Sequence, residues 1–248
     1  MDERLAYIAL NMMENVGPVG VRALVQRLGR AAAIFEADAG VLAEVRGIGR
    51  ASAAEIVRQV RNVHPEDEEC RAEALGARLI TPVDDEYPRA LLDIHDPPLA
   101  LYVRGRLQST DRRAVAVVGT RHPSSYGRAT AEKLSWQLAK AGMTVVSGLA
   151  LGIDTVAHQG ALKAGGRTLA VIGSALDRLY PADNAGLADD VAAQGAVMSE
   201  FPLGRAPDKT TFPMRNRVVS GLSKGVVVVE AGGKSGALIT ARQAGEQG

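Results

Sequence analysis

Five short apolar runs recur through the second half of this chain: AVAVVG at 114–119, TVVSG at 144–148, TLAVIG at 168–173, AVMSEF at 196–201 and GVVVVEA at 225–231. Long amphipathic stretches separate them. A strand with one wet face alternates apolar and polar side chains, whereas a strand covered on both faces is apolar throughout. Runs of the second kind, alternating with helical stretches, predict an α/β fold: a doubly wound, mostly parallel sheet with helices on both faces. The helices are expected at about 126–141, 153–164, 184–194 and 213–222, with a fifth starting near Gly236. Gly142, Gly165 and Gly195 follow three of them, where a left-handed glycine is the least costly way to leave a helix. Because a sheet of this kind seldom stops on a running helix, the chain is expected to be a fragment or truncated at Gly248.

Residues 1–65 carry only helical spacing, as in Leu5, Ile8, Ala9 and Met12, and are expected to form a small all-α domain. Two glycine-containing turns, Val16–Gly20 and Arg46–Arg50, break it. Residues 66–113, with strand-like RLIT at 78–81 and LALYVRG at 99–105, read as a lead-in to the sheet domain at 114–248. Lys and Arg total 29 against 28 Asp and Glu, so global charge argues for neither nucleic acid nor membrane, and a polyanion must meet a local patch. The single cysteine, Cys70, excludes a disulfide framework and a cysteine-built zinc site, and reads as an inert, packed thiol. No metal or cofactor is expected. No apolar run approaches membrane-spanning length and the start, MDERLAYI, lacks the basic-then-apolar order of a signal peptide, which points to the cytoplasm.

In open parallel sheets ligands bind beyond the carboxyl ends of the strands. After the first run, Gly119, Thr120, Arg121, His122, Pro123 and Ser124 lead into a helix. Gly119 lets backbone approach an anion, the helix start offers unpaired N–H groups, and Arg121 and Ser124 add donors for a phosphate; an ordinary Ser-capped turn is the other reading. The second exit, Ser147 and Gly148 followed by LALGID, is small and glycine-rich, which fits either space for a ligand or tight helix packing. A GxGxxG fingerprint and a ribose-binding acid are missing, which sets a nicotinamide enzyme aside. Gly232, Gly233, Lys234, Ser235 and Gly236 form one more glycine-rich loop before a helix, with Lys234 and Ser235 as donors at a spacing that fails the Walker pattern. Asp154 and His158 stand four apart; without a third ligand they fit a capping acid and a hydrogen-bonded histidine better than a metal pair or a base.

The segment 203–224 sets Arg205, Lys209, Arg215, Arg217 and Lys224 against one acid, Asp208. Pro213 is expected at a helix start, which places Arg215, Asn216 and Arg217 in the first turns, where cations oppose the helix dipole. Local stability does not explain them there, and a bound anion does. Phe212 adds a ring, and a cationic groove with a stacking ring is how proteins hold single-stranded nucleic acid without reading sequence. A solvated basic face is the alternative. The reading requires Arg121, Lys209 and Arg217 to share one cleft.

On these residues the sequence resembles the bacterial DNA-processing protein A family (DprA, also called Smf). The matching stretches are GTRHPSSYG at 119–127, SGLALGIDTVAHQGAL at 147–162, FPLG at 201–204, TTFPMRNRVVSGLS at 210–223 and VVVVEAGGKSGALITA at 226–241, with EYPRALLDIHDPPLALYVRG at 86–105 upstream. The resemblance implies a Rossmann-like domain that binds single-stranded DNA, forms a homodimer and loads a RecA-type recombinase in natural transformation. It implies no catalysis. Carried over by position, the DNA contacts are Arg121, Lys209, Phe212, Arg215, Asn216 and Arg217, with Ser147, Gly148 and Gly236 lining the pocket; Gly119, Ser124 and Ser235 of the exit loops complete the expected DNA-binding set. The helical domain resembles a SAM-like or helix-hairpin-helix module, RGIGRASAAEI at 46–56 being the better hairpin, in a structural or a DNA-contacting role. The glycine-rich loop also resembles that of nucleotide phosphoribohydrolases, but Leu238, Ile239 and Thr240 stand where those enzymes carry a catalytic Glu. A nucleotide-ligand sensor is the remaining alternative.

Overall fold

In the computed structural model, which describes residues 1–233 and 235–248, the N-terminal helical spacing becomes α1 (Glu3–Met12), α2 (Pro18–Leu28), α3 (Ala39–Ala43), α4 (Arg50–Val60) and α5 (Pro65–Ala74), followed by the strand β1 (Ala77–Ile80). Pro18 and Pro65 open α2 and α5, where the N–H that proline lacks would have had no helical partner. Leu10, Val21, Leu24, Ile34, Leu42 and Ile56 meet in one core, with Ile48 of the second glycine turn packed against it. Cys70 is exposed on α5, not packed as its sequence context suggested. By packing, the chain divides into two units, Met1–Tyr87 with His95–Leu101, and Pro88–Ile94 with Tyr102–Gly248; α5 and β1 therefore group with the N-terminal helices.

The second unit contains α6 (Arg89–Leu92), β2 (Leu101–Gly105, of which Leu101 groups with the first unit), β3 (Ala114–Val118), α7 (Ser125–Lys140), β4 (Thr144–Ser147), α8 (Ile153–Lys163), β5 (Thr168–Val171), α9 (Ala185–Gln194), β6 (Ala196–Ser199), α10 (Thr211–Gly221), β7 (Val226–Val228) and α11 (Gly236–Gln247). Its strands run in the order β2-β6-β5-β4-β3-β7, all parallel except β2, which is antiparallel to β6. The two-sided burial inferred from the apolar runs holds for β4, β5 and β6, whose residues are all buried. The last two strands are shorter than their runs: β6 ends at Ser199 and β7 at Val228, and Glu200 and Glu230 fall in the exit loops, where both take part in ion or hydrogen bonding described below. Val117, Val145, Ile153 and Ala157 form a core on one side, Leu149, Ala170, Ile172 and Val197 another.

Two local expectations change. Gly142 and Gly165 are left-handed (φ 75° and 68°), but Gly195 has φ −154° and ψ −120°; it is glycine because a β-carbon there would strike the Thr168 carbonyl. Helix α10 begins at Thr211, so Pro213 is its third residue and Arg215 and Arg217 lie in its second turn. Pro213 is tolerated there because the first four N–H groups of a helix are unpaired anyway. The dipole argument for a bound anion at these arginines therefore loses its footing.

Candidate nucleic-acid interface

Strands β3 to β6 follow one another outward in one direction, and β7 then returns to the other side of β3. That reversal makes the β3–β7 boundary the switch point at which doubly wound sheets open a crevice. A cavity of about 440 Å³ lies there. Gly119, Thr120 and Arg121 line it from the β3 exit, Gly148 and Ala150 from the β4 exit, Arg215 and Asn216 from α10, and Gly232, Gly233, Ser235 and Gly236 ahead of α11.

Two buried charged side chains, Arg215 and Asp154, lie at its floor. Arg215 is only 6% exposed, and its Nη1 donates to the Val171 carbonyl at 2.7 Å. Gly148 has to be glycine here, because a β-carbon would overlap the Arg215 guanidinium. The Asp154 carboxylate accepts from the amides of Gly148 (3.0 Å) and Ala150 (3.4 Å) and so ties the β4 exit to α8. Burial pushes the Asp154 carboxyl above its usual range, with Arg215 pulling the other way; burial lowers Arg215, opposed by Asp154 and reinforced by Arg121. Arg215 Nε is buried and has no hydrogen-bond partner among the described residues.

An adjoining pocket that shares Arg121, Gly148, Ala150 and Arg215 with the cavity is aromatic and cationic. Arg121 is exposed and its guanidinium lies 5.2 Å from the centroid of the half-buried Phe212 ring. Tyr180, which sequence reasoning passed over, extends this shelf: its ring is 6.1 Å from Phe212, tilted by 52°. Opposite, Ser235 caps α11 by accepting from the Ala237 amide at 3.3 Å, and Asn216 Nδ2 donates to the Gly236 carbonyl at 3.3 Å, fixing the α11 start against α10. Lys234 lies outside the described residues.

Several nominated residues turn inward. Ser147 is fully buried and donates from Oγ to the Val117 carbonyl at 2.7 Å, so it joins β4 to β3 instead of facing the cavity. Ser124 gives its N–H (3.1 Å) and Oγ (2.9 Å) to the Glu230 carboxylate, which occupies the start of α7 as an internal anion. Arg217 is 4% exposed and pairs with Glu200 through both guanidinium nitrogens, at 2.9 and 2.6 Å. It does not line the cavity, so the expected convergence of Arg121, Lys209 and Arg217 is not met; Arg121 shares the cleft with Arg215 instead. Arg205 pairs with Asp208, which accepts at 2.5 Å, while Lys209 is exposed in the turn before α10. Asp154 and His158 serve different partners: His158 Nδ1 lies 2.7 Å from Thr168 Oγ1, which itself donates to the Val145 carbonyl, so the ring carries its proton on Nδ1.

The family model described as DNA recombination-mediator protein A matches residues 78–248. Among curated proteins, Protein Smf of Synechocystis is 40% identical over 98% of this chain and 62% of its own length, and DNA processing protein DprA of Bacillus subtilis is 43% identical over 70% of this chain and 59% of its own. The chain thus spans about three fifths of these relatives. Among solved structures, DNA processing protein A of Streptococcus pneumoniae superposes with a TM-score of 0.84 at 33% identity, covering 98% of this chain and 83% of that one. DNA processing protein A of Helicobacter pylori, described with a single-stranded DNA binding mode, gives 0.62 at 35% identity over 68% of this chain and 77% of that one. With the doubly wound sheet, the switch-point cavity and these matches in place, the chain belongs to the DNA recombination-mediator protein A family.

Proposed function

We propose that this chain holds single-stranded DNA, irrespective of sequence, across the cavity at the β3–β7 switch point. The whole protein would act as a homodimer that loads a RecA-type recombinase in natural transformation. The observation that carries the reading is Arg121 lying over Phe212 beside the start of α11. A strand needs a place for phosphate and a place for a base. The positive end of α11, a twelve-residue helix, and the Arg121 guanidinium meet the first need. The rings of Phe212 and Tyr180 meet the second, and stacking accepts every base alike. Arg215 shapes the floor, while exposed Lys209 adds charge ahead of α10. The family's description as a recombination mediator and the H. pylori relative's single-strand binding support the same reading. Asp154 is the one carboxylate among the described residues lining the cavity, and it is held by two backbone amides.

Anisotropy of labelled oligo-dT, titrated with salt, tests this. Single strands should bind more tightly than duplex, and Arg121→Ala should weaken binding and shallow the logarithmic salt slope by about one. Phe212→Ala should cost about 1–3 kcal/mol for the base it stacks. Equal affinity for duplex and single strand would refute the proposal, and release of free base from a nucleoside monophosphate would replace it with a hydrolase.

A further inference from the structure

The chain has a single tryptophan, Trp136, and it is 44% exposed on α7. Tyr and Trp join a large apolar face to a polar tip, which suits them to contact sites. Tyr126, one of five tyrosines, is 80% exposed on the same helix. At about 100° per residue, Tyr126, Ala129, Lys133, Trp136, Gln137 and Lys140 fall within one stripe of about 100°, and all six are exposed. The Lys140 ammonium lies 5.6 Å from the Trp136 ring centroid. Glu132, at the edge of the stripe, is paired with Lys163, so the stripe itself carries cations and no acid. From Tyr126 to Lys140 it runs about 21 Å. It also starts at the cavity: Arg121 lines the cavity, and Ser124 of the same loop is the N-cap of α7.

We infer that this face of α7 is a second track for single-stranded DNA, taking the nucleotides that leave the cavity. The inference rests on the cavity being the primary DNA site. Rings alternating with ammonium groups, free of acids and continuous with that site, match the chemistry of a flexible polyanion whose bases are unstacked. Lys133 and Lys140 would meet phosphates, and Tyr126 and Trp136 would stack bases.

The lone tryptophan makes the test direct. The full chain is titrated with oligo-dT of about 4 and about 16 nucleotides, the span of known single-strand site sizes, with binding followed by anisotropy and Trp136 by its fluorescence. The expected result is that both lengths bind, only the longer quenches Trp136, and Trp136→Ala weakens the longer about tenfold while sparing the shorter. Lys133→Glu with Lys140→Glu should do the same, with an unchanged urea midpoint showing that the fold is intact. If the longer strand saturates without quenching and Trp136→Ala binds it normally, the α7 track is overturned and the cavity reading stands. If neither length binds, both fall. Quenching by the short strand, with Arg121→Ala having no effect, would overturn the order of the path.

Discussion

Replacing Arg217 separates a structural arginine from a DNA-binding one. In the folded protein its guanidinium is almost wholly buried, bridges to both oxygens of Glu200 and also donates to the Met214 carbonyl at 3.0 Å. Arg217→Ala takes both of these guanidinium bonds from the Glu200 carboxylate, which is 8% exposed. Removing one member of a buried pair costs about 3–5 kcal/mol, because the remaining charge stays desolvated. For a chain of this size each kcal/mol moves Tm by about 2–4 °C, so the expected fall is about 6–20 °C. Circular dichroism during heating measures it. Replacing both partners by apolar residues of similar volume, Arg217→Met with Glu200→Leu, should recover most of the loss. Oligo-dT affinity, measured where the single variant is still folded, should change little, with the salt slope unaltered. A variant that melts within about 2 °C of the parent yet loses DNA affinity and about one unit of salt slope would show that Arg217 reaches the strand and that the ion pair is not what the residue is for.

Gly148→Ala should disrupt the cavity floor: the new methyl occupies the space of the Arg215 guanidinium, which must leave Val171, at a cost of about 2–4 kcal/mol seen as a lower urea midpoint; an unchanged midpoint with normal DNA binding would refute the packing argument. His158 gives a pH dependence. Burial, aided by the Arg215 charge, pushes its imidazole down to about 3, against 6.5 in the unfolded chain. Between those values the unfolded state holds a proton that the folded state does not, so stability is full above pH 6.5 and falls as pH drops towards 3. At pH 5 the loss is about 2 kcal/mol, and His158→Asn, whose amide can still donate to Thr168, should remove it; an equal loss in the variant would assign the pH dependence elsewhere.

The sheet was legible because parallel strands wrapped by helices leave a one-dimensional trace: each buried run is continuous, and its helix begins a few residues later. Position in that topology also located the cavity, since the exits of β3, β4 and β7 can be named from the runs alone. The partners of the charged residues left no such trace. Ser124 and Glu230 are 106 residues apart, Arg215 and Val171 44, Arg217 and Glu200 17. A count of five cations against one acid in residues 203–224 treats every charge as available, whereas Arg217 draws its counter-ion from just outside that window and Arg205 from within it. Binding a polyanion depends on the charge left over after such pairing, and that remainder is a property of the fold. The same logic explains why α7 escaped notice: its lysines are unremarkable in a chain of net charge +1, and only the helix brings them into line with Tyr126 and Trp136 along a stripe without acids. Local charge density therefore overstates the charge available to a polyanion wherever the fold supplies counter-ions, as it does for Arg205 and Arg217.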